Sequence, residues 1–442
     1  MALFRQAERQ RGHRIAAILR TGELFHRIQS DFMLRYKLAC GVCWLSALLG
    51  GVQLSHAESS ATPAVRDALQ AGKALCKVIS PTDAGVSRSN QSGMYLPKSA
   101  WRFFTAAAPV EEENYREPVQ ICWPDERKTA AVVSWYGKGS RSEFRLTRLG
   151  ESWESDAVGD LLVLVPQGRG IFLAHRLRTD EEAAEFCTAL GIEPGQRWGF
   201  YEKAPDAKIA APGTLEEWAT REAGKHDTFP TGRAMAELAR QAVREWQPAV
   251  LTKSADHRLM AWIEAEYTIY RAIERRICNA QVTQDFTNID DFLSAASTIM
   301  NRRKSRAGHS LEAHTGHLLT ECGITFEAQA VIDGKVRPDV LFPGKAAYHD
   351  PGHPVDNLVI LGLKTTCRDR WRQVLNEGKR LPLKHLLTLQ PAMSRAQLQE
   401  MHEASLQLIV PAPLHRAYDV PEGYRLLSVE EFVQDMKRRF PK

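Results

Sequence analysis

Short apolar runs separated by turn-forming residues dominate the chain between residues 74 and 174. They predict strands at 74–79, 119–123, 129–135, 144–147, 160–165 and 171–174. The clusters between them, such as 80–85 and 136–140, contain the Gly, Pro, Ser and Asp that are typical of turns. A short helix is predicted before these strands, at 64–70, and another after them, at 180–190. Closely spaced short strands of this kind predict a small β-barrel or sandwich.

The hydrophobic pattern changes to helical spacing beyond residue 213. Trp262, Tyr267 and Tyr270 belong to a series of apolar positions three and four residues apart, which predicts a helix at 259–277. Gly323 is expected to end the helix at 310–321. Thr366 and Asp369 are expected to form a capping box that opens the helix at 367–380. Asp333-Gly334 is expected to form the turn of a hairpin. The alternation of helical and strand patterns predicts a mixed sheet flanked by helices. The other predicted helices are at 231–245, 290–300, 310–321, 367–380, 395–404 and 428–438. The predicted strands are at 327–332, 336–342, 358–365, 385–389 and 406–410.

The two patterns divide the chain. Residues 203–213 contain two prolines and few large apolar residues, and are interpreted as a linker between a part at 64–202 and a part at 214–442. Residues 1–60 form an extension with an apolar run at 38–54, preceded by basic residues and followed by small ones. That run is typical of a signal peptide and short for a membrane span. Two interpretations stay open: an exported protein, or an upstream extension from an over-called start codon. The second is favoured, with a cytoplasmic location and no stable membrane association.

Composition and charge narrow the classes of protein. The 442 residues include 44% hydrophobic and 25% charged residues, which excludes a disordered tail protein, a collagen-like chain and a multi-span membrane protein. A net charge of +5 permits a nucleic-acid partner without requiring one. The eight cysteines are scattered, which fits a reduced intracellular protein. Cys40 and Cys43, the one close pair, lie in the apolar run, so no structural zinc site is predicted.

The strongest chemical signal is Pro338-Asp339 on one predicted strand with Lys364 at the end of the next core strand. A carboxylate that holds Mg²⁺ beside a lysine that orients water forms a minimal phosphodiesterase site. Nucleases of the PD-(D/E)xK type place an acid two residues before the lysine, where this chain has Gly362. From spacing alone, either Glu377 or Glu312 can supply the missing carboxylate.

Basic residues cluster near this candidate site. Arg302, Arg303, Lys304 and Arg306 precede Gly308, and Arg368, Arg370 and Arg372 follow Lys364. Such clusters can bind phosphate or read guanine edges, although a solvated run of charges is the plainer interpretation of each. In the β-rich part, Arg141, Glu143 and Arg145 alternate along one strand, which predicts a charged face on the sheet.

Several long motifs resemble the catalytic half of EcoRII-type restriction endonucleases. They are the runs at 301–312, 337–343, 347–350, 363–377 and 408–415, and the resemblance covers most of 285–440. A weaker similarity extends back through 137–148 and 93–97 to 82–85 and stops near residue 64.

The resemblance implies an N-terminal B3-like β-barrel effector domain that binds DNA, and a C-terminal α/β domain of the PD-(D/E)xK endonuclease type that forms a homodimer. It also implies Mg²⁺-dependent cleavage of double-stranded DNA at a CCWGG-type site, where W is A or T. Enzymes of this family commonly need a second copy of the site, bound by the effector domain.

The family's site residues carry over position by position. Asp339 and Glu377 would hold the metal ion, and Lys364 would be the catalytic lysine. Three further residues match positions that line the family's active site: Tyr348, Arg368 and Arg370. At the position of Arg368 the family is expected to have a lysine. The positions implied to hold or read DNA are Arg302, Arg303, Lys304, Arg306 and Glu312 in the catalytic part, and Tyr95, Lys138, Arg141, Glu143 and Arg145 in the effector part.

The sequence therefore predicts a type II restriction endonuclease that leaves 5′-phosphate and 3′-hydroxyl ends. The alternative is a sequence-specific DNA-binding protein of the same ancestry that has lost cleavage. A further hypothesis is that the effector part blocks the catalytic cleft until DNA binds.

Overall fold

The computed structural model describes residues 59–86, 93–105, 110, 113–138, 143–150, 153, 155–203, 213–283 and 285–442. The apolar run at 38–54, nearly all of the predicted linker, and Arg141 lie outside the described residues. Within the described ranges, no helix combines the length and the apolar character that a membrane crossing requires.

The part of the chain before residue 204 is built on one large sheet. Its strands are β1 Lys73–Val78, β2 Met94–Leu96, β3 Asn114–Cys122, β4 Lys128–Tyr136, β5 Glu143–Thr147, β6 Leu161–Gly168, β7 Ile171–Leu177 and β8 Trp198–Glu202. They lie in the order β2-β5-β4-β3-β7-β6-β1-β8. All neighbours are antiparallel except β3 and β7. Its helices are α1 Ala61–Ala71, α2 Trp101–Phe104 and α3 Asp180–Leu190. The six predicted strands and the helix at 180–190 are confirmed.

This sheet curls so that its two edge strands approach each other. The rings of Tyr95 in β2 and Trp198 in β8 lie with their centroids 6.5 Å apart, although these strands are at opposite ends of the sheet order. Phe144 and Phe172 belong to the core on one face of the sheet. The other face is covered by α1 and α3, which pack on β1 and β6 through residues such as Phe186.

The second part of the chain confirms a mixed sheet flanked by helices. Strands β9 Glu327–Ala328, β10 Val340–Phe342, β11 Val359–Lys364, β12 Lys384–Thr388 and β13 Leu406–Ile409 lie in the order β13-β12-β11-β10-β9. The pairs β11–β12 and β12–β13 are parallel, and the others are antiparallel. The helices are α4 Leu215–Ala223, α5 Gly232–Trp246, α6 Ala255–Val282, α7 Ile289–Glu321, α8 Lys345–His349, α9 Arg372–Leu375, α10 Arg395–Glu403 and α11 Val429–Arg439.

The central strands β11 and β12 are buried on both faces. One face packs against α6, α7 and α11 through residues that include Trp262, Leu311 and Phe432. The opposite face packs against α9 and α10, where Val374 and Leu398 belong to the core. The ends of β10 and β11 are thereby held on rigid elements, which matters because the candidate catalytic residues lie there.

The basic segment does not separate two helices, as the sequence suggests. Residues 301–308 lie inside the continuous helix α7, so the predictions of helices at 290–300 and 310–321 with a break between them are wrong. A single Gly in a helix costs only about 1 kcal/mol relative to Ala. The packing of Leu311 and Leu318 against the core outweighs that cost.

Two other local predictions are wrong in extent. The helix at 367–380 is reduced to the four residues of α9, and Asp369 makes no capping box with Thr366. Its carboxylate accepts a hydrogen bond from the backbone N–H of Asp180, 2.6 Å away in the other part of the chain. The turn at Asp333-Gly334 forms with positive φ at both residues. The predicted strands beside it are shortened to the bridge from Ile332 to Val336 and the pairing of β9 with β10.

Candidate active site

Asp339 and Lys364 lie at the same edge of the second sheet. Asp339 immediately precedes β10, and Lys364 is the last residue of β11. These strands are antiparallel, with Val340 opposite Leu361, so extending the register by one residue places Asp339 opposite Gly362. The topology therefore brings together two residues that are 25 positions apart in the sequence.

The carboxylate of Asp339 is held on both oxygens. Oδ2 accepts a hydrogen bond from the backbone N–H of Leu363 at 2.7 Å and lies 3.4 Å from Nζ of Lys364. Oδ1 accepts a hydrogen bond from the side-chain amide of Gln329 at 3.0 Å. The side chains of Asp339 and Lys364 are 12% and 23% exposed, so the pair is half-buried and still accessible from solvent.

Two further carboxylates face this pair. Burial and then repulsion from Asp339 raise the pKa of Glu377 to about 7, against the attraction of Lys364 and Lys384. Burial and repulsion from Asp339 also raise the pKa of Glu312. Glu312 lies on α7, which is joined to the end of β11 by a 3.2 Å hydrogen bond from the hydroxyl of Thr365 to the carbonyl of Ala307. The structure thus brings both candidate acids near Asp339.

The side chain of Val374 explains why no acid stands at position 362. A Cβ added to Gly362 would lie 2.8 Å from Cγ2 and 3.1 Å from Cγ1 of Val374 in α9. Contacts under 3.0 Å require the neighbour to move, and Val374 is fully buried in the core. The space that the acid occupies in the usual motif is therefore filled by a hydrophobic side chain.

Restoring the usual motif with Gly362→Glu, together with Glu377→Ala, is expected to leave DNA cleavage absent. It is also expected to lower the free energy of unfolding by about 1–3 kcal/mol, because the new side chain overpacks the core at Val374. Urea denaturation and a cleavage assay measure the two effects. Gly308→Ala is the matched control, since an added Cβ there meets nothing within 4 Å. Full cleavage by the double variant would contradict this account.

The donor set fits a hydrated divalent cation. Mg²⁺ prefers oxygen ligands and is commonly held by one or two carboxylates, with water and substrate phosphate as its other ligands. Oε2 of Glu377 is buried and has no hydrogen-bond partner among the described residues, and an ion shared with Asp339 would satisfy it. No group of three or more His, Cys, Asp or Glu in the described ranges is arranged to hold a metal. The unpartnered oxygen of Glu377 and the free lone pair on Oδ1 of Asp339 are the donors that fit such an ion.

Tyr348 belongs to a neighbouring network. It is buried, and its hydroxyl donates a 2.7 Å hydrogen bond to Oδ2 of Asp333. Burial and this bond raise the pKa of Tyr348 to about 12. Arg380 donates to the carbonyl of Tyr348. Among the described residues, the hydroxyl thus bonds to Asp333 and to the backbone N–H of Arg380, and not to Asp339, Lys364 or Glu377.

Two arginines of α7, Arg303 and Arg306, contact the first part of the chain. Arg303 donates hydrogen bonds to the carbonyls of Thr188 and Ala189 at 3.0 Å each, at the C-terminal end of α3. Arg306 is buried and pairs with Glu193. Burial raises the pKa of Glu193 to about 7, against the attraction of Arg306. Sequence reasoning did not identify Glu193, because nothing local distinguishes it from other loop acids.

The other basic residues near the site divide into buried and exposed groups. Arg368 is buried and pairs with Asp160, again from the first part of the chain. Arg370 is exposed and donates to the carbonyl and hydroxyl of Thr366 at 3.0 and 3.1 Å. Arg302 lies over the ring of Phe229, 3.8 Å from its centroid, and Lys304 is exposed.

The structure pairs some of the predicted effector residues with one another. Tyr95 in β2 lies opposite Arg145 in β5 and is 40% exposed. The guanidinium of Arg145 donates to Glu143 at 3.0 Å; Arg145 is buried, whereas the side chain of Glu143 is 23% exposed. Lys138 is exposed after β4. Phe144 and Leu146, which alternate with these residues along β5, are buried on its other face.

Comparison with known proteins identifies the relatives of this chain. A family model described as "EcoRII C terminal" matches residues 270–433. The type II restriction enzyme EcoRII of Escherichia coli is 31% identical over 396 residues, which cover 81% of this chain and 93% of that enzyme. The type II restriction enzyme SsoII of Shigella sonnei is 27% identical over 143 residues, covering 30% of this chain and 45% of that one.

Two solved structures show a more distant similarity. Metal-depleted Ecl18kI in complex with uncleaved, modified DNA has a TM-score of 0.39 at 19% identity, covering 52% of this chain and 85% of that chain. The restriction endonuclease PspGI in complex with substrate DNA has a TM-score of 0.40 at 15% identity, covering 48% and 93%.

Proposed function

Because the chain belongs to the EcoRII family of type II restriction endonucleases, we propose that it hydrolyses duplex DNA at a CCWGG-like site with Mg²⁺ as the cofactor. It is an enzyme, a site-specific deoxyribonuclease. The observation that carries the proposed mechanism is the pair of Asp339 and Lys364 at the ends of β10 and β11, 3.4 Å apart. Glu377 lies near enough for Asp339 to raise its pKa, and two carboxylates with a lysine suit metal-assisted hydrolysis of a phosphodiester.

Each of these side chains has a role in the proposed mechanism. Asp339 and Glu377 hold the cation, which when bound would polarise the scissile phosphate and lower the pKa of a coordinated water. The ammonium group of Lys364 orients the attacking water and offsets the negative charge that develops on the phosphate. Cleavage of the bond between phosphorus and the 3′ oxygen would leave 5′-phosphate and 3′-hydroxyl ends. Tyr348, Arg368 and Arg370 are proposed to line the site when DNA is bound.

The first part of the chain is proposed to be an effector domain at 64–202 with a B3-like β-barrel. The close approach of Tyr95 and Trp198 at the two edges of the sheet supports a barrel. The face that bears Tyr95, Lys138, Arg141, Glu143 and Arg145 would bind a second copy of the target. Residues 214–442 would form the catalytic domain, joined through the linker at 203–213, and the active enzyme would be a homodimer.

The contacts between the two parts support the hypothesis that the effector part blocks the catalytic cleft. Arg303, Arg306 and Arg368 are three of the residues proposed to contact DNA or line the active site. Arg303 donates to the carbonyls at the end of α3, Arg306 pairs with Glu193, and Arg368 pairs with Asp160. Carboxylates and helix C-terminal carbonyls present negative charge to arginine, as phosphates do. Arg306 and Arg368 are buried in these contacts, so DNA would contact them only after the two parts separate.

A cytoplasmic location is part of the same proposal. The substrate, duplex DNA, is found there, and the six described cysteines are free thiols, as in proteins of a reducing compartment.

Digestion of a plasmid that contains several CCWGG sites tests the proposal. We expect discrete fragments with Mg²⁺ and none with EDTA, and sequencing of the ends would give the target together with the 5′-phosphate chemistry. Cutting that continues in EDTA would contradict the metal-dependent mechanism. No cutting, combined with a sequence-specific gel shift, would favour a DNA-binding protein that has lost cleavage.

A further inference from the structure

We propose that Gln329 is a positioning residue for the metal-binding carboxylate of Asp339. The proposal rests on the function proposed above, in which Asp339 holds the cation. Gln329 belongs to none of the motifs that resemble the family, and its role follows only from its contacts in the structure.

The strand register places Gln329 beside Asp339. Ala328 in β9 pairs with Val340 in β10, so the next pair along these antiparallel strands is Gln329 with Asp339. The backbone N–H of Gln329 donates to the carbonyl of Asp339 at 3.2 Å. Side chains of directly opposed residues lie on the same face of a sheet. The amide of Gln329 is therefore directed to the carboxylate that the site uses.

The backbone of Gln329 adopts an uncommon conformation at this position. Its φ is +52°, in the left-handed region that residues other than Gly, Asn and Asp rarely adopt. Such a conformation costs about 1 kcal/mol or more and persists where surrounding contacts enforce it, often at functional sites. The adjacent Ala330 is buried in the core, which anchors the chain immediately after the strained residue.

The hydrogen bond of Gln329 completes the restraint on the carboxylate. Leu363 and Lys364 both contact Oδ2 of Asp339, and the amide of Gln329 contacts Oδ1 at 3.0 Å. Without Gln329, only one of the two oxygens is held and the carboxyl plane is free to turn. Oδ1 accepts only the bond from Gln329 among the described residues and keeps its second lone pair for a cation. Partners that orient a ligand in this way typically contribute 10–100-fold to metal affinity.

Titration of Ca²⁺ into the full chain by calorimetry tests the proposal, with Mg²⁺-dependent cleavage as the second measurement. Gln329→Met removes the amide but keeps the length of the side chain. We expect the dissociation constant for Ca²⁺ to rise about tenfold. The Mg²⁺ concentration for half-maximal cleavage should rise by a similar factor, whereas the rate at saturating Mg²⁺ should return close to that of the unmodified enzyme. A general folding defect would lower the rate at every Mg²⁺ concentration.

A second variant separates positioning from stability. Gln329→Asn suits the left-handed backbone better and should melt at a higher temperature than Gln329→Met, but its amide is one methylene too short to reach Asp339. It should lose Ca²⁺ affinity as Gln329→Met does. Gln399→Met is the matched control, since that glutamine also donates to a carboxylate, Glu403 at 2.9 Å, on an exposed helix.

The outcomes distinguish this inference from the proposed function. If Asp339→Asn abolishes Ca²⁺ binding and both Gln329 variants bind Ca²⁺ as the unmodified chain does, the role of Gln329 is refuted and the metal site stands. If Asp339→Asn binds Ca²⁺ normally, the assignment of the metal site itself is wrong, and the role of Gln329 falls with it.

Discussion

Asp339→Asn and Lys364→Met are each expected to reduce the single-turnover rate of DNA cleavage by about 10³-fold or more. Asp339→Asn removes a charged ligand of the cation and keeps the shape of the side chain. Lys364→Met removes the ammonium group that lies 3.4 Å from Asp339 and keeps most of the aliphatic stem. Both residues are only partly buried, so neither substitution should unfold the sheet. Quench-flow or gel-based cleavage at saturating enzyme measures the rate.

Binding of target DNA should be nearly unaffected by these two substitutions. Gel shift in Ca²⁺ or EDTA checks that expectation and separates loss of chemistry from loss of binding. Lys345→Met is the matched control, because Lys345 is an exposed lysine at the N-terminus of the short helix α8 and is paired with Glu327. Cleavage by both site variants at the rate of the unmodified enzyme would show that the active site lies elsewhere.

The main elements of the fold could be predicted from the sequence because their signals are local. The helix α3 has a local signal at each end, a capping box at Thr179 and a glycine, Gly191, after its last residue. The predicted bounds 180–190 therefore match the helix. The strand β11 could be found as a continuous apolar run, as expected for a strand buried on both faces. The three-residue β2 and the edge strand β8, which has Gly199 as its second residue, carry too little pattern to be identified.

The candidate site could be predicted only in part, because its remaining members depend on tertiary contacts. Asp339 and Lys364 could be inferred from two strands that end at one edge. The choice between Glu377 and Glu312 could not be made from spacing, and both lie near Asp339. The strand register that places Gln329 beside Asp339 could not be predicted, because most residues of the predicted hairpin strands are irregular in the structure. The partners that Arg303, Arg306 and Arg368 have in the first part of the chain lie more than 110 residues away in the sequence.

Glu193→Ala is expected to accelerate cleavage of DNA that contains a single target site, by about tenfold. Glu193 is buried and pairs with Arg306 across the contact between the two parts of the chain. Removing the carboxylate leaves the guanidinium buried with a poorer partner, since Glu266 is 3.9 Å away, so the closed arrangement loses stability. A change of about 1–3 kcal/mol in the equilibrium between closed and open forms corresponds to roughly 5- to 150-fold in the accessible fraction. Single-turnover cleavage of a one-site plasmid measures the effect.

Deletion of residues 1–215 should also accelerate cleavage of single-site DNA, and more strongly than Glu193→Ala. The deletion additionally removes Asp160 from Arg368 and the carbonyls of Thr188 and Ala189 from Arg303. Glu181→Ala is the matched control for the point variant, since Glu181 is an exposed acid on α3, the helix that precedes Glu193. Unchanged or slower single-site cleavage by both Glu193→Ala and the deletion would show that the effector part does not restrain Arg306. Weaker DNA binding by Arg306→Ala in that case would show that the arginine still contacts DNA. Acceleration by Glu193→Ala without any change from Glu181→Ala would locate the restraint at the pair of Glu193 with Arg306.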